Sequence, residues 1–335
     1  MKRIWFVLLV GVLLSVLVPG CSSPADEVIE MRFSHTLPIG TNHDVFANKW
    51  ADLVRERTEG RINITVYPAS QLGAMAQQIE ATGLGAIDIG WGDTSSMGFI
   101  EPKVEMLNLP FMYANFDDLE TIFDGDIGDD MRQAFIEKGN VRHLAYWWIG
   151  PRQMFTKVLL EGLDDCAGIK ARSPEVQLYI QTYQTLGMNP TPIPWTDLYT
   201  SLESGVVDAG CCNYENIVLQ QFYTICPFIW QSNHIWQVGG PIINEDLYQS
   251  LDKDLQDILV ETAQEIATEQ RAAYIAGEQE YIQQLLDEGC TVSPLDTFKD
   301  MDEVYNRFEN GFWKETAQRL DAEDMLDRML VALGR

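Results

Sequence analysis

Arg172 is the residue whose type and setting most suggest binding chemistry. It lies in Gly168-Ile-Lys-Ala-Arg-Ser-Pro-Glu175. Ile169 to Arg172 reads as a short strand. Ser173 reads as the N-cap of a following helix, with Pro174 at its first position and Glu175 in its first turn. That places a guanidinium where a strand hands over to a helix, beside which open α/β sheets bind ligands. Unpaired N–H groups at a helix start favour a carboxylate, and a guanidinium offers a planar, two-pronged bond to one. The competing reading is a surface arginine paired with one of the chain's many acids.

Those acids bound the function. Against 23 Lys and Arg stand 50 Asp and Glu, a net charge of −27 in 335 residues. A chain this acidic does not bind nucleic acid through a general basic patch. An anionic ligand would need a few local, buried cations. The four histidines (His35, His43, His143, His234) have no metal spacing and no Cys-x-x-Cys occurs, so neither zinc nor another cofactor is expected. Cys166, Cys211, Cys212, Cys226 and Cys290 form an odd set unlike a disulfide scaffold. Adjacent Cys211 and Cys212 would point to opposite faces of a strand.

The start of the chain reads as a leader. Lys2 and Arg3 precede the apolar run Ile4 to Val18, and Leu17-Val-Pro-Gly-Cys21 ends it with a small residue before cysteine. This predicts a lipoprotein signal peptide over 1–20, lipidation at Cys21 and a tether over 21–30. The rest, about 315 residues, suits two lobes better than one core.

The elements alternate. A strand is expected at Met31 to His35, a helix capped by Thr41 or Asn42 through Arg57, and a strand at Arg61 to Tyr67. A second helix (74–84) and a strand at Ala86 to Trp91 follow. This order predicts an α/β fold with mixed, mostly parallel sheets. Gly85-Ala-Ile-Asp-Ile-Gly90 and Gly205-Val-Val-Asp-Ala-Gly210 share a pattern, each after a helix, and suggest one similar unit per lobe. Asp88 and Asp208 fit turns better than catalysis. Leu251 to Glu288 reads as a helix long enough to bridge both lobes, although Gly277 lies inside it. Trp195 suits either a ligand wall or the lobe core. Tyr67 is similarly open, and Trp91 fits the core better than a pocket.

Several stretches together resemble the solute-binding proteins of tripartite ATP-independent periplasmic (TRAP) transporters, the DctP-like family. They are Tyr67-Pro-Ala-Ser-Gln-Leu-Gly73, Gly150-Pro-Arg152 with Phe155-Thr156, Gly168-Ile-Lys-Ala-Arg172-Ser-Pro174, Leu186-Gly-Met-Asn-Pro-Thr-Pro-Ile-Pro194 with Trp195, and Gly205-Val-Val-Asp208. The resemblance covers nearly the whole mature chain. It implies a two-lobed clamp with a long helix bridging the lobes: 31–149 plus 239–278 as the first lobe, 150–238 plus 279–335 as the second. It implies a ligand carboxylate on Arg172, with Arg152 adding a contact or ordering Arg172. Trp195 would be an aromatic wall, and Thr36 and Asp93 would face the ligand from the other lobe. One departure stands out: where the family has an acid followed by an asparagine, this chain has Cys211 and Cys212, and Asn213, Glu215 or Asn216 would have to substitute.

The implied function is an extracytoplasmic lipoprotein that delivers an organic carboxylate to membrane permease subunits. Composition favours an apolar or aromatic acid over a polyhydroxylated one. The alternatives are a binding subunit of an ABC-type or sensor system, or an extracytoplasmic enzyme acting on a carboxylic acid, for which no nucleophile–base–orienter set is visible.

Overall fold

The computed structural model describes residues 28–335. The leader, Cys21 and most of the tether lie outside the described residues. Its strands, in chain order, are β1 (Ile29–Ser34), β2 (Ile62–Tyr67), β3 (Ile89–Asp93), β4 (Val141–His143), β5 (Trp147–Pro151) and β6 (Gln153–Thr156). They continue as β7 (Lys170–Ser173), β8 (Asn189–Pro192), β9 (Ala209–Cys212), β10 (Phe228–Trp230), β11 (Trp236–Asn244) and β12 (Thr291–Ser293). The last tether positions, from Ile29, already belong to β1.

The strands form two sheets. One runs β2-β1-β3-β11-β4, with β5 also paired to β11; the other runs β12-β10-β6-β9-β7-β8. Each repeats one unit: two parallel strands joined by a helix, a third parallel strand, and then an antiparallel neighbour. That unit is β2-β1-β3-β11 in the first sheet and β8-β7-β9-β6 in the second. Among the described residues, every antiparallel pair involves β11 or β6. These strands carry the chain between sheets: β5 runs into β6 outward, and β10 leads to β11 on the return. The two crossings are tied together, because Arg152 N donates to Ile235 O and Gln153 Nε2 to Asn233 Oδ1.

The Gly-x-x-Asp repeat has a physical basis. Gly85 (φ +72°) and Gly205 (φ +75°) each follow the end of a helix and turn the chain into β3 or β9. The aspartates then pin neighbouring strands: Asp88 accepts from Arg32 N and Nε, and Asp208 pairs with Lys157 and Lys170.

The helix Lys253–Asp287 is unbroken, and an added Cβ at Gly277 would meet only ordinary contact. At 35 residues it is about 50 Å long, more than one lobe requires. Leu255, Leu259, Ala263 and Ile266 join the core around Trp50, Trp91 and Trp147 under the first sheet. Leu285 joins the core around Phe155, Tyr214 and Phe222 under the second. The final helices lie largely against the first-sheet side. Trp313 Nε1 donates to Pro110 O, and Arg319 and Arg328 pair with Glu105 and Asp130, while Phe308–Phe312 also touches the helix Gln177–Thr185.

Candidate functional site

Arg172 is the third residue of β7 and is 3 % exposed. Its strand is held between β8 and β9, with Arg172 opposite Thr191. Nε donates to Ile193 O at 2.8 Å, and the guanidinium carbon lies 5.7 Å from the centre of the Trp195 ring. Burial, and then the charge of Arg152, lower its pKa. The helix after it begins later than its cap signal suggests. Ser173 is the last residue of β7, opposite Pro192, and Val176 holds the N-cap position of Gln177–Thr185. The sheet pairing of Ser173 overrides its capping preference. Arg172 is therefore placed by the strand, four residues before the helix cap.

Arg152 sits at the first crossing between sheets and is also buried. Nε donates to Cys211 Sγ at 3.1 Å, Nη2 to Cys211 O, and Nη1 to Gln237 Oε1 at 2.5 Å. The phenol ring of Tyr179 lies 5.1 Å from the guanidinium carbon. Gln237 relays to the first sheet through Nε2, which donates to Asp93 Oδ2. Asp93 Oδ1 accepts from Ser95 N and Oγ. Burial, the largest influence, raises the Asp93 pKa despite these bonds. Groups from both sheets thus meet at Arg152: Asp93 and Gln237 from one, Cys211 from the other. Among the described residues, no ion pair joins Arg152 or Arg172 to a carboxylate; each of the other ion-paired arginines has its acid.

The remaining expected contacts lie as follows. Trp195 is half-buried, with one neighbour in the Arg172 guanidinium and another in Phe222, so it joins the site to the second core. Trp91 is in the first core against His43 and Trp147. Tyr67 and Thr36 are half-buried beside the end of β1, where His35 N donates to Tyr67 O; no hydrogen bond joins either to the arginines. Cys212 faces the second core, and burial raises its thiol pKa. Asn213 caps the helix Tyr214–Leu219: its Oδ1 accepts from Asn216 N, and its Nδ2 donates to Ile149 O at 2.7 Å.

The strand's alternation puts Cys211, rather than Cys212, on Arg152. Gln237 and His234 also belong to the site, yet their segment carries no motif and enters only through the pairing of β11. Tyr179 and Tyr183 read as the apolar face of a helix.

Glu215 is a second point of contact between the halves. It is 2 % exposed, and Oε1 accepts from Asn42 N at 2.6 Å and from Tyr281 OH. Asn42 is the first residue of the helix Asn42–Arg57, so a carboxylate on the second-sheet side satisfies an N–H at the start of a first-sheet helix. Burial raises the Glu215 pKa. Glu215→Ala would leave that N–H unpaired, at a cost of about 1–3 kcal/mol. The expected result is faster ligand release with little change in secondary structure, read by stopped-flow dissociation and circular dichroism. An unchanged release rate would show that this contact does not hold the halves together.

A cavity of about 590 Å³ lies elsewhere, between Glu120, Arg132, Tyr146 and the long helix at Arg271. Its cations are already neutralised, Arg132 by Asp129, Arg142 by Glu245 and Arg271 by Glu120. It is a weaker anion receptor than the unpaired arginines.

Comparison with known proteins agrees with this architecture. Residues 33–311 match the DctP model, described as "Bacterial extracellular solute-binding protein, family 7". A solute-binding protein of Chromohalobacter salexigens is 31% identical over 264 residues, covering 77% of this chain and 78% of that protein. The sialic acid-binding periplasmic protein SiaP of Vibrio cholerae is 24% identical, covering 92% and 97%. The crystal structure of a TRAP periplasmic solute-binding protein from C. salexigens with bound D-glucuronate superimposes with a TM-score of 0.85 at 27% identity, covering 90% of this chain and 99% of that one. With a two-sheet clamp, a bridging helix and a match across most of its length, the chain belongs to the DctP family of extracellular solute-binding proteins, the solute-binding components of TRAP transporters.

Proposed function

We propose that this protein captures a small organic carboxylate between its two sheets and delivers it to the membrane permease subunits of a TRAP transporter. The observation that carries the reading is Arg172, a buried guanidinium with no carboxylate partner in the described protein. Arginine stays protonated at any physiological pH, so a carboxylate is the natural guest. Arg152 and Trp195 order Arg172, and Asp93 with Gln237 supplies polar atoms from the first sheet, suited to a ligand hydroxyl rather than a second carboxylate. The moving bodies would be built around the two sheets and close as a hinge; the final helices, expected with 150–238, would instead move with the first sheet, against which they pack. Lipidation at Cys21 would hold the protein at the membrane.

Relatives named for sialic acid and glucuronate favour a hydroxylated acid over the aromatic acid that composition suggests. The position of Trp91 and Trp147 inside the first core points the same way. A thermal-shift panel of organic acids, paired with mass spectrometry of whatever co-purifies, tests the reading. The expected result is a stabilising monocarboxylate recovered unaltered from the purified protein. Stabilisation by neutral sugars alone, or recovery of a chemically converted ligand, would sink it.

A further inference from the structure

We propose that Cys211 works as a thiolate, the counter-ion that holds Arg152 in position beside Arg172. Two guanidiniums lie side by side in the interior, and neither forms an ion pair with a carboxylate among the described residues. A buried charge without a counter-ion carries a large desolvation cost, which a ligand carboxylate would relieve at Arg172 and which only the protein can relieve at Arg152. The one titratable group bonded directly to Arg152 is Cys211, whose sulfur accepts from Nε and whose carbonyl accepts from Nη2. Asp93 stands one residue further off, behind Gln237.

The groups facing Cys211 come from every side. Arg152 comes from the first crossing, Arg172 from β7, Tyr179 and Tyr183 from the helix over the sheet, His234 from the second crossing and Cys212 from its own strand. Tyr183 OH and His234 Nε2 are buried and have no hydrogen-bond partner among the described residues, so both are free to turn toward the Cys211 sulfur. His234 Nδ1 lies 2.7 Å from Ser232 Oγ; with that hydroxyl donating to Nδ1, Nε2–H is free to donate to the Cys211 sulfur. Burial alone would raise the Cys211 pKa. The Arg152 charge overrides it, with His234 and Tyr183 adding to the effect, and the thiol falls to about 5. The competing arrangement is a neutral thiol donating to His234.

Thiolate absorbance near 240 nm separates the two without any ligand, so its outcome does not depend on the carboxylate reading. Burial raises the pKa of Cys166, Cys212, Cys226 and Cys290, leaving Cys211 as the source of signal at neutral pH among the described cysteines. The native protein should show about one thiolate per chain at pH 7, lost as the pH falls through about 5. The signal should be absent at pH 7 in Cys211→Ser and in Arg152→Gln. Cys211→Asp should melt closer to the native protein than Cys211→Ser does, because it restores the anion. Should the serine variant fail to fold, titration of the native protein still decides. No thiolate at pH 7, or an equal signal in the serine variant, overturns the proposal, as does an aspartate variant less stable than the serine one.

Discussion

Arg172→Ala should abolish practical binding of the acid that stabilises the native protein, while leaving the free protein as stable as before or more so. The two halves of this expectation have one cause. In the bound state the variant buries a ligand carboxylate with no guanidinium opposite it, and removing one partner of a buried charge pair costs about 3–5 kcal/mol. That corresponds to a loss of roughly a hundredfold to several thousandfold in affinity. In the free state Arg172 is 3 % exposed, its one hydrogen bond goes to Ile193 O, and the neighbouring charge that weighs most on it is that of another arginine. Deleting it removes repulsion and a desolvation cost, at the expense of one hydrogen bond and a small cavity. Arg172→Lys should sit between, because it keeps the charge but loses the planar fork. Isothermal titration and thermal melting of both variants make the check. Equal losses of affinity and melting temperature would mean that Arg172 is a structural residue.

What the sequence shows and hides follows the range of each interaction. The strand that carries Arg172, the helix Asn42–Arg57 and the bridging helix are legible because local signals carry them. Thr41 caps one helix, and Asp252 and Gly289 bracket the other. The repeated Gly-x-x-Asp was legible as a pattern, and its reason appears only when Asp88 meets Arg32 and Asp208 meets Lys157 and Lys170. Local signals also mislead. Ser173-Pro174-Glu175 has the chemistry of a helix start, yet Ser173 finishes β7 because the register with β8 satisfies its backbone. The partners of Arg152 were hidden for another reason. Cys211, His234 and Gln237 lie 59 to 85 residues from it along the chain and are brought to it by the pairing of β6 with β9 and by the return crossing. No periodicity encodes that distance. Only the alternation of β9 could have indicated that, of two adjacent cysteines, one alone meets the arginine.

Gly150 is where the same crossing admits least change. It is the fourth residue of β5, immediately before the chain leaves the first sheet, and its φ is +93°. A Cβ built there would lie 2.0 Å from Tyr274 Oη and 2.2 Å from the ring carbon that carries it. Tyr274 sits midway along the bridging helix and is buried against Phe116 and the crossing. Two penalties therefore coincide in Gly150→Ala. The backbone must hold a side chain at positive φ, about 1–3 kcal/mol, and the helix or the crossing must shift to accept a methyl group, about 1–3 kcal/mol more. Shortening Tyr274 to Phe would not relieve the clash, because the ring carbon alone is too close. Gly150→Ala should thus destabilise the protein by about 2–6 kcal/mol, against total stabilities of about 5–15 kcal/mol. Urea denaturation measures the loss directly. The strain lies where the long helix passes the crossing, so Gly150→Ala combined with Tyr274→Ala should recover part of what the single variant loses beyond the loss caused by Tyr274→Ala itself. Strictly additive losses in that double-mutant cycle would mean that the helix does not press on the crossing.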